Sequence, residues 1–292
     1  GFLGPAYQPF RPDMSKMFSR ALEEAMKKEL AALGTDHVTS LSLIDGLSAA
    51  RLRDRTQLLG GLDRIRRNLD TSGMMDAMDS FTQQATRILT SGRLAEAIDL
   101  SKVSPAEIER YTPSTVFTGK RFWTNDGDSA ALKLLLARRL IEAGVRCVTI
   151  SLSDFDTHSD NFPRMRHILP IFDHGLDAMV TDLEDRGMLD DVTIVGWGEF
   201  GRTPRIDRKT GGRHHWPAVA PAILAGGGMR VGQVIGASDE IGGHPAGRPV
   251  QPEDVLATVY RHLGIEPRAQ LKNLDGQPTP ILGEGEVIGE LL

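Results

Sequence analysis

Apolar residues recur at helical spacing through most of the first 144 positions. The run from Ser15 to Gly34 carries such a stripe and ends on glycine, the residue that most often follows a helix C-terminus. Similar patterns, several with a proline or a small polar residue at the start and glycine at the end, cover residues 42–69, 74–100, 104–111 and 129–144. This part of the chain is therefore predicted to be mostly helical.

The pattern changes after Gly144. Short β-branched or apolar runs, typical of buried strands, occur at residues 145–152, 191–198, 218–228 and 230–236. Between and after them, helical stripes cover residues 163–186 and 251–264. Strands that alternate with helices predict an α/β sheet with helices on its faces. We expect a mostly helical segment over residues 1–144 and an α/β core over residues 145–292.

Composition narrows the classes of protein. The 34 basic and 39 acidic residues give a net charge of -5, which argues against non-specific nucleic-acid binding. No apolar run approaches the roughly 20 residues that span a bilayer. Cys147 is the single cysteine, so no intramolecular disulfide is expected, and its apolar run predicts a core position. The chain opens at Gly1 without a signal peptide, and we take it to be a fragment or a processed product.

Polar residues gather after two of the predicted strands, where α/β sheets place their ligands. The long loop after residues 191–198 exceeds the usual four to six residues or so of a connection. Together the two strand ends offer carboxylates, imidazoles and guanidinium groups: Asp154, Asp156, His158, Glu199, Arg202, Arg213, His214 and His215. Mixed nitrogen and oxygen ligands suit zinc or manganese better than calcium. Each motif alone is also typical of an ordinary turn or helix cap, and that alternative stays open.

Three stretches, "AGVRCVTISLSDFDTHSDNF", "GEFGRTPRI" and "GGRHHWP", resemble the domain of unknown function 1501 family. We identify that family as a branch of the alkaline phosphatase and sulfatase superfamily, whose sulfatase members carry a strand similar to "VAPAILAGGGM". The likeness covers nearly the whole chain. It implies a three-layer α/β/α sandwich of the alkaline phosphatase type, preceded by the mostly helical segment.

The resemblance also implies a divalent metal site with one or two ions. Asp156 and His158 match the family's Asp-Thr-His, while Glu199 and His215 stand where the superfamily has metal ligands. Asp154, at the Asp-x-x-x-His spacing, and His214 are second choices; adjacent histidines in an extended segment point to opposite sides, so at most one of His214 and His215 is a first ligand. Phe200 is a departure, because it occupies the position of a ligating histidine in the phosphatases.

The leading functional expectation is a metal-dependent hydrolase of phosphate or sulfate esters, acting on an anionic small molecule or a polysaccharide. Arg202 or Arg213 would hold the anionic oxygens, although both are equally interpretable as loop charges. The superfamily's nucleophile follows its first strand, which we expect upstream of Gly1, so this fragment should be poorly active. Relatives with a twin-arginine export signal imply a periplasmic or extracellular location.

Two alternatives share the fold. One is an exported binding or scaffold protein that has lost catalysis, which Phe200 in a ligand position favours. The other is a metal-dependent phosphomutase, which uses the same ligands but requires a sugar-phosphate pocket. Neither the substrate nor the oligomeric state follows from the sequence.

Overall fold

The computed structural model describes residues 48, 50–52, 54, 92–114, 117–119, 122, 126–273 and 275–292. It contains helices and small antiparallel sheets, a mixed α/β structure. The helix predicted over residues 15–34 and the first part of the pattern over residues 74–100 lie outside the described residues. Of the pattern over residues 42–69, the structure describes only residues 48, 50–52 and 54. Five α-helices are described: α1 (Arg93–Ile98), α2 (Pro105–Arg110), α3 (Leu132–Glu142), α4 (Asn161–Asp185) and α5 (Pro252–His262).

Local sequence signals account for the helix ends. The Ser104 side chain caps α2, which begins at Pro105. At the start of α5 the Asp254 carboxylate accepts from the Gln251 N–H at 2.8 Å, which caps the helix. Gly144 and Gly264, after α3 and α5, take positive φ angles of 100° and 69°, as glycines that end helices often do. These helices confirm the predictions for residues 104–111, 129–144, 163–186 and 251–264.

The helices α2, α3 and α4 enclose the largest core cluster. Leu135 of α3 and Leu183 of α4 are fully buried in it, and Tyr111 packs between them just after α2. Gly175 lets α4 approach α3 closely, because a Cβ atom at this position would lie 3.0 Å from Leu134 Cδ1. The long helix α4 is therefore locked against α3 along its middle and last turns.

A buried carboxylate connects the same three helices. The Asp182 side chain of α4 accepts from the Tyr111 hydroxyl at 3.0 Å and pairs with Arg138 of α3 at 2.9 Å. Arg186 and Arg110 approach its other oxygen at 2.8 and 3.1 Å. Burial alone would raise the pKa of Asp182, but hydrogen bonds from Arg186 and Tyr111 and the charge of Arg138 hold that pKa below its ordinary value. Asp182 is therefore ionised at neutral pH.

The strands form four two-stranded antiparallel sheets in the described part of the chain. The longest pairs β1 (Thr193–Trp197) with β4 (Ala222–Gly226), with Val195 opposite Leu224. The others are β2 (Gly201–Arg202) with β3 (His215–Trp216), β5 (Ala237–Ser238) with β6 (Pro245–Gly247), and β7 (Gln270–Lys272) with β8 (Pro278–Pro280). Strands β1 and β4 confirm the predictions for residues 191–198 and 218–228.

Successive residues of β1 face different cores, as the period of two in a strand requires. Ile194 packs against the cluster built by α3 and α4. Val195, with Leu224 of β4, packs against a second cluster that contains Val255 of α5 and Leu291. This small sheet thus links the α4 side of the protein to the C-terminal helix.

Two strand predictions are wrong. Residues 145–152 form no strand with the described residues. Lys133 Nζ of α3 donates to Ser151 O instead, and Val148 and Leu152 pack on the helical cores. The core position predicted for Cys147 is also wrong, because its side chain is exposed. Residues 230–236 also form no strand. The three-layer sandwich is thus not seen among the described residues; the observed level is mixed α/β.

None of the helices in the part of the chain that the structure describes has the length and apolar character needed to cross a membrane.

The Asp182 network predicts a stability difference between two neighbouring carboxylates. Asp182→Asn should lower the free energy of unfolding by about 1.5–3 kcal/mol, because the buried Arg138 guanidinium then keeps only the more exposed carboxylates of Glu107 and Glu142 as charged partners. Asp185→Asn is the matched control: Asp185 also pairs with Arg110 but is half-exposed, so the loss should stay below about 1 kcal/mol. Urea unfolding of both variants measures this difference. Equal losses would contradict the buried-charge argument.

The same network predicts a pH dependence. Because the folded pKa of Asp182 lies below its ordinary value, its contribution is fully present above the ordinary carboxyl pKa. It disappears as the pH falls through the lower, folded pKa. The wild-type protein should therefore lose more unfolding free energy than Asp182→Asn between neutral and strongly acidic pH, as measured by urea unfolding at several pH values. Parallel pH curves would show that Asp182 has no such role.

Candidate metal centre

The long connection between β1 and β4 folds back on itself through β2 and β3. Arg202 pairs with His215 in this short ladder, and Gly201 pairs with Trp216. A Cβ atom on Gly201 would lie 1.9 Å from Val219 O, so only glycine permits the segment after β3 to pass this closely. The ladder places the side chains of Arg202 and His215 next to each other.

Backbone hydrogen bonds attach the tip of this connection to the segment before α4. Arg213 N donates to Thr157 O at 2.7 Å, and Asn161 N donates to Gly211 O at 2.9 Å. At the crossing a Cβ atom on Gly212 would lie 2.1 Å from the carbonyl carbon of His158. Two segments more than 50 residues apart are thus held in contact, and their histidines meet.

Asp156, His158 and His215 form a compact triangle of possible ligand atoms. Asp156 Oδ1 lies 3.0 Å from His158 Nε2 and 3.0 Å from His215 Nε2. The two Nε2 atoms lie 3.1 Å apart. All three residues are exposed at the surface, so solvent and solutes have access to them.

Protons alone do not make all three contacts attractive. Each Nε2 atom carries at most one proton. If both are protonated, both N–H groups donate to Asp156 and then oppose each other. If only one is protonated, the bare nitrogen of the other faces the carboxylate oxygen. A cation that all three atoms shared would be attracted by each of them, so the triangle is a candidate metal centre.

Arg202 and Phe200 support the triangle from β2 and the residue before it. The Arg202 guanidinium contacts Asp156 Oδ1, and the Phe200 ring packs against the His215 ring with centroids 4.5 Å apart. Partial burial would raise the pKa of Asp156, but hydrogen bonds from Arg202 and His215 and the charge of Arg202 lower it overall. Asp156 is therefore a carboxylate at neutral pH, the form that binds cations.

A second pair of residues lies behind His158. His214 Nδ1 lies 3.2 Å from His158 Nδ1, the ring nitrogen that faces away from the triangle. His214 Nε2 in turn faces Asp207 Oδ2 at 3.6 Å. Sequence reasoning did not select Asp207, because an aspartate in a polar turn is common and only the folded loop brings it to a histidine.

The remaining predicted site residues lie apart from this group. Asp154 is buried against Arg164, whose Nη1 lies 2.5 Å from its Oδ1, and it does not join the triangle. Its backbone has a φ of 75°, a left-handed conformation that aspartate tolerates. Glu199 is exposed and does not belong to the group either. Arg213 stands directly before the two histidines, and its buried Nε has no hydrogen-bond partner among the described residues.

The family model described as protein of unknown function (DUF1501) matches residues 1–292. The chain belongs to this family. The match confirms the family resemblance carried by the motifs around Asp156, Glu199 and His215 in the sequence. Comparisons of this DUF1501 chain with curated proteins and with solved structures found no match.

The close crossing at Gly212 gives a testable prediction. Gly212→Ala should lower the free energy of unfolding by about 1–3 kcal/mol and displace the loop, because its Cβ atom would overlap the backbone of His158. Gly283→Ala is the control, since a Cβ atom there meets nothing within 4 Å. Urea unfolding measures stability, and nuclear magnetic resonance of the imidazole nitrogens reports the histidine environments. Unchanged imidazole signals in Gly212→Ala would contradict the proposed crossing.

Proposed function

We propose that this protein is a metal-dependent hydrolase of phosphate or sulfate esters, in which Asp156, His158 and His215 hold one divalent ion. The observation that carries the proposal is the triangle of Oδ1 and two Nε2 atoms with mutual distances of 3.0, 3.0 and 3.1 Å. A cation makes these contacts favourable where protons do not. The ionised state of Asp156 supports the same reading.

The donor set bears on the identity of the ion. Two imidazole nitrogens and a carboxylate oxygen suit zinc or manganese better than calcium, which prefers shells made only of oxygen. The three atoms, at mutual distances of 3.0, 3.0 and 3.1 Å, lie close enough to share one ion.

When bound, such an ion polarises an ester oxygen and lowers the pKa of coordinated water. The protein's own residues supply orientation and charge. Arg202 contacts Asp156 and fixes the direction of its carboxylate. Arg213, beside His214, has a buried Nε with no partner among the described residues, and a guanidinium matches two oxygens of a phosphate or sulfate group. Arg213 is therefore our candidate for holding the anionic substrate, with Arg202 as an alternative.

The family resemblance supports three finer parts of the proposal. These are membership of the alkaline phosphatase and sulfatase superfamily, its three-layer α/β/α sandwich, and a periplasmic or extracellular location. The mixed α/β structure is compatible with that sandwich without requiring it. We propose one ion rather than two, because Phe200 packs on His215 where the phosphatases place another ligand, and Glu199 lies outside the triangle.

A catalytically silent binding or scaffold protein is the second candidate. Phe200 favours it, because a superfamily member that has exchanged a metal-ligating residue for an aromatic ring has lost part of the catalytic centre. In that case the metal site would be retained for structure or ligand binding, and Arg213 would bind an anionic group without cleaving it.

Metal binding and ester hydrolysis test the proposal in the full-length protein. Wild-type protein should bind manganese and zinc and hydrolyse p-nitrophenyl phosphate or p-nitrophenyl sulfate. His158→Ala and His215→Ala should each weaken binding by more than about 100-fold, because each removes one of three ligands. His244→Ala is the control, since His244 is an exposed histidine that packs on Trp216 outside the triangle. Isothermal titration calorimetry with each metal gives the affinities.

The outcomes separate the candidates. Binding that His158→Ala abolishes, together with hydrolysis, supports the hydrolase. Binding without hydrolysis of either ester supports the scaffold. Equal affinities in wild type, His158→Ala and His215→Ala would refute the ligand set.

A further inference from the structure

We infer that Asp207 and His214 form a relay that fixes the tautomer and orientation of His158 as a metal ligand. The inference rests on the proposed metal site, because it concerns the ring nitrogen of His158 that does not face the ion. It gives His214 the role of a positioning residue rather than that of a ligand, and it assigns a role to Asp207, which the sequence did not single out.

The side chains of His158, His214 and Asp207 form a continuous series of polar contacts. His158 Nε2 belongs to the triangle, and His158 Nδ1 lies 3.2 Å from His214 Nδ1. On the far side of the second ring, His214 Nε2 lies 3.6 Å from Asp207 Oδ2. At 3.6 Å this last contact is an ion-pair contact rather than a hydrogen bond, and the carboxylate lies on the side of the ring that carries Nε2.

One arrangement of protons satisfies the chain when a metal is bound. A neutral imidazole has one N–H donor and one acceptor nitrogen. If His158 Nε2 is a ligand, its proton is on Nδ1 and is donated to His214 Nδ1. His214 then carries its own proton on Nε2, which points at the carboxylate of Asp207. Each contact pairs a donor with an acceptor, and the carboxylate sets the direction of the whole chain.

The loop positions the Asp207 carboxylate so that one of its oxygens faces His214. Its Oδ1 accepts from the backbone N–H groups of Lys209 and Thr210 at 2.7 and 2.9 Å, which leaves Oδ2 toward His214. Those backbone hydrogen bonds, that of Thr210 first, hold the pKa of Asp207 below its ordinary value. The backbone of Asp207 is anchored as well, since its N–H donates to Gly212 O and its carbonyl accepts from Gly211 N. The carboxylate is therefore fixed by the same turn that brings His214 to His158.

Asp207→Asn separates the relay from the loop. Its amide oxygen still accepts from the two backbone N–H groups, but its NH2 group now faces His214 Nε2. That reverses the direction of the hydrogen bonds, so that His214 accepts at Nε2 and donates from Nδ1. His158 would then accept at Nδ1 and carry its proton on Nε2, the tautomer that does not bind a metal. Partners of this kind typically change metal affinity by about 10–100-fold, and the exposure of His214 places our expectation near 10-fold.

A double-mutant cycle on the full chain tests the inference, with zinc and manganese affinities measured by calorimetry. We expect Asp207→Asn to weaken binding about 10-fold. In the His214→Ala background the same substitution should have no further effect, because Asp207 acts through the removed ring. In zinc-loaded wild type, nitrogen chemical shifts should show His158 protonated at Nδ1 and His214 protonated at Nε2. The unfolding free energies of the variants check that the loop is intact.

The results distinguish failure of the relay from failure of the site. Metal binding by wild type that Asp207→Asn leaves unchanged, or the opposite His214 tautomer, overturns the relay and leaves the metal site standing. An equal loss from Asp207→Asn with and without His214 means that Asp207 acts on the loop, and also overturns it. A wild-type protein that binds neither metal refutes the relay and the proposed function together.

Discussion

The buried carboxylate of Asp182 is the interaction on which the helical part of the structure depends. It is surrounded by Arg138, Arg186, Arg110 and the Tyr111 hydroxyl, so three helices meet at one negative charge. A charge removed from water is costly unless it is paired and hydrogen-bonded, and here every partner comes from a defined position on α2, α3 or α4 or beside them. Apolar packing permits small shifts between helices, whereas this network fixes the rotation of α4 about its axis and its position along that axis.

The position of α4 in turn sets the candidate site. Its N-terminus follows directly after His158, and Asn161 takes the loop carbonyl of Gly211 as a backbone partner. The site is therefore built where a rigid helix begins and a long loop returns, with few contacts from a regular sheet. Gly212 at the crossing explains why the loop approaches so closely, because any side chain there would separate the two backbones.

Chemically, the centre combines an ionised aspartate, three imidazoles and the guanidinium group of Arg202. An isolated cluster of this kind has unfavourable contacts, since bare ring nitrogens, N–H groups and a carboxylate meet at about 3 Å. The chain from Asp207 through His214 to His158 gives those contacts a consistent direction, and a cation would complete it. In the proposed relay the outer members thus decide which nitrogen of His158 carries the proton, and so whether Nε2 can bind a metal.

The sequence by itself determined the helices of the described region and the chemical character of the site. Periodicity and capping residues act within a few positions, so α3, α4 and α5 were predictable, and the residue types of Asp156, His158 and His215 indicated their chemistry. Only the tertiary structure decided which residues meet. Residues 145–152 pack on helices and do not pair with a strand. Asp154 pairs with Arg164, and Asp207 lies beside His214. These choices depend on backbone contacts between segments far apart in the chain, and no local pattern of residues encodes them.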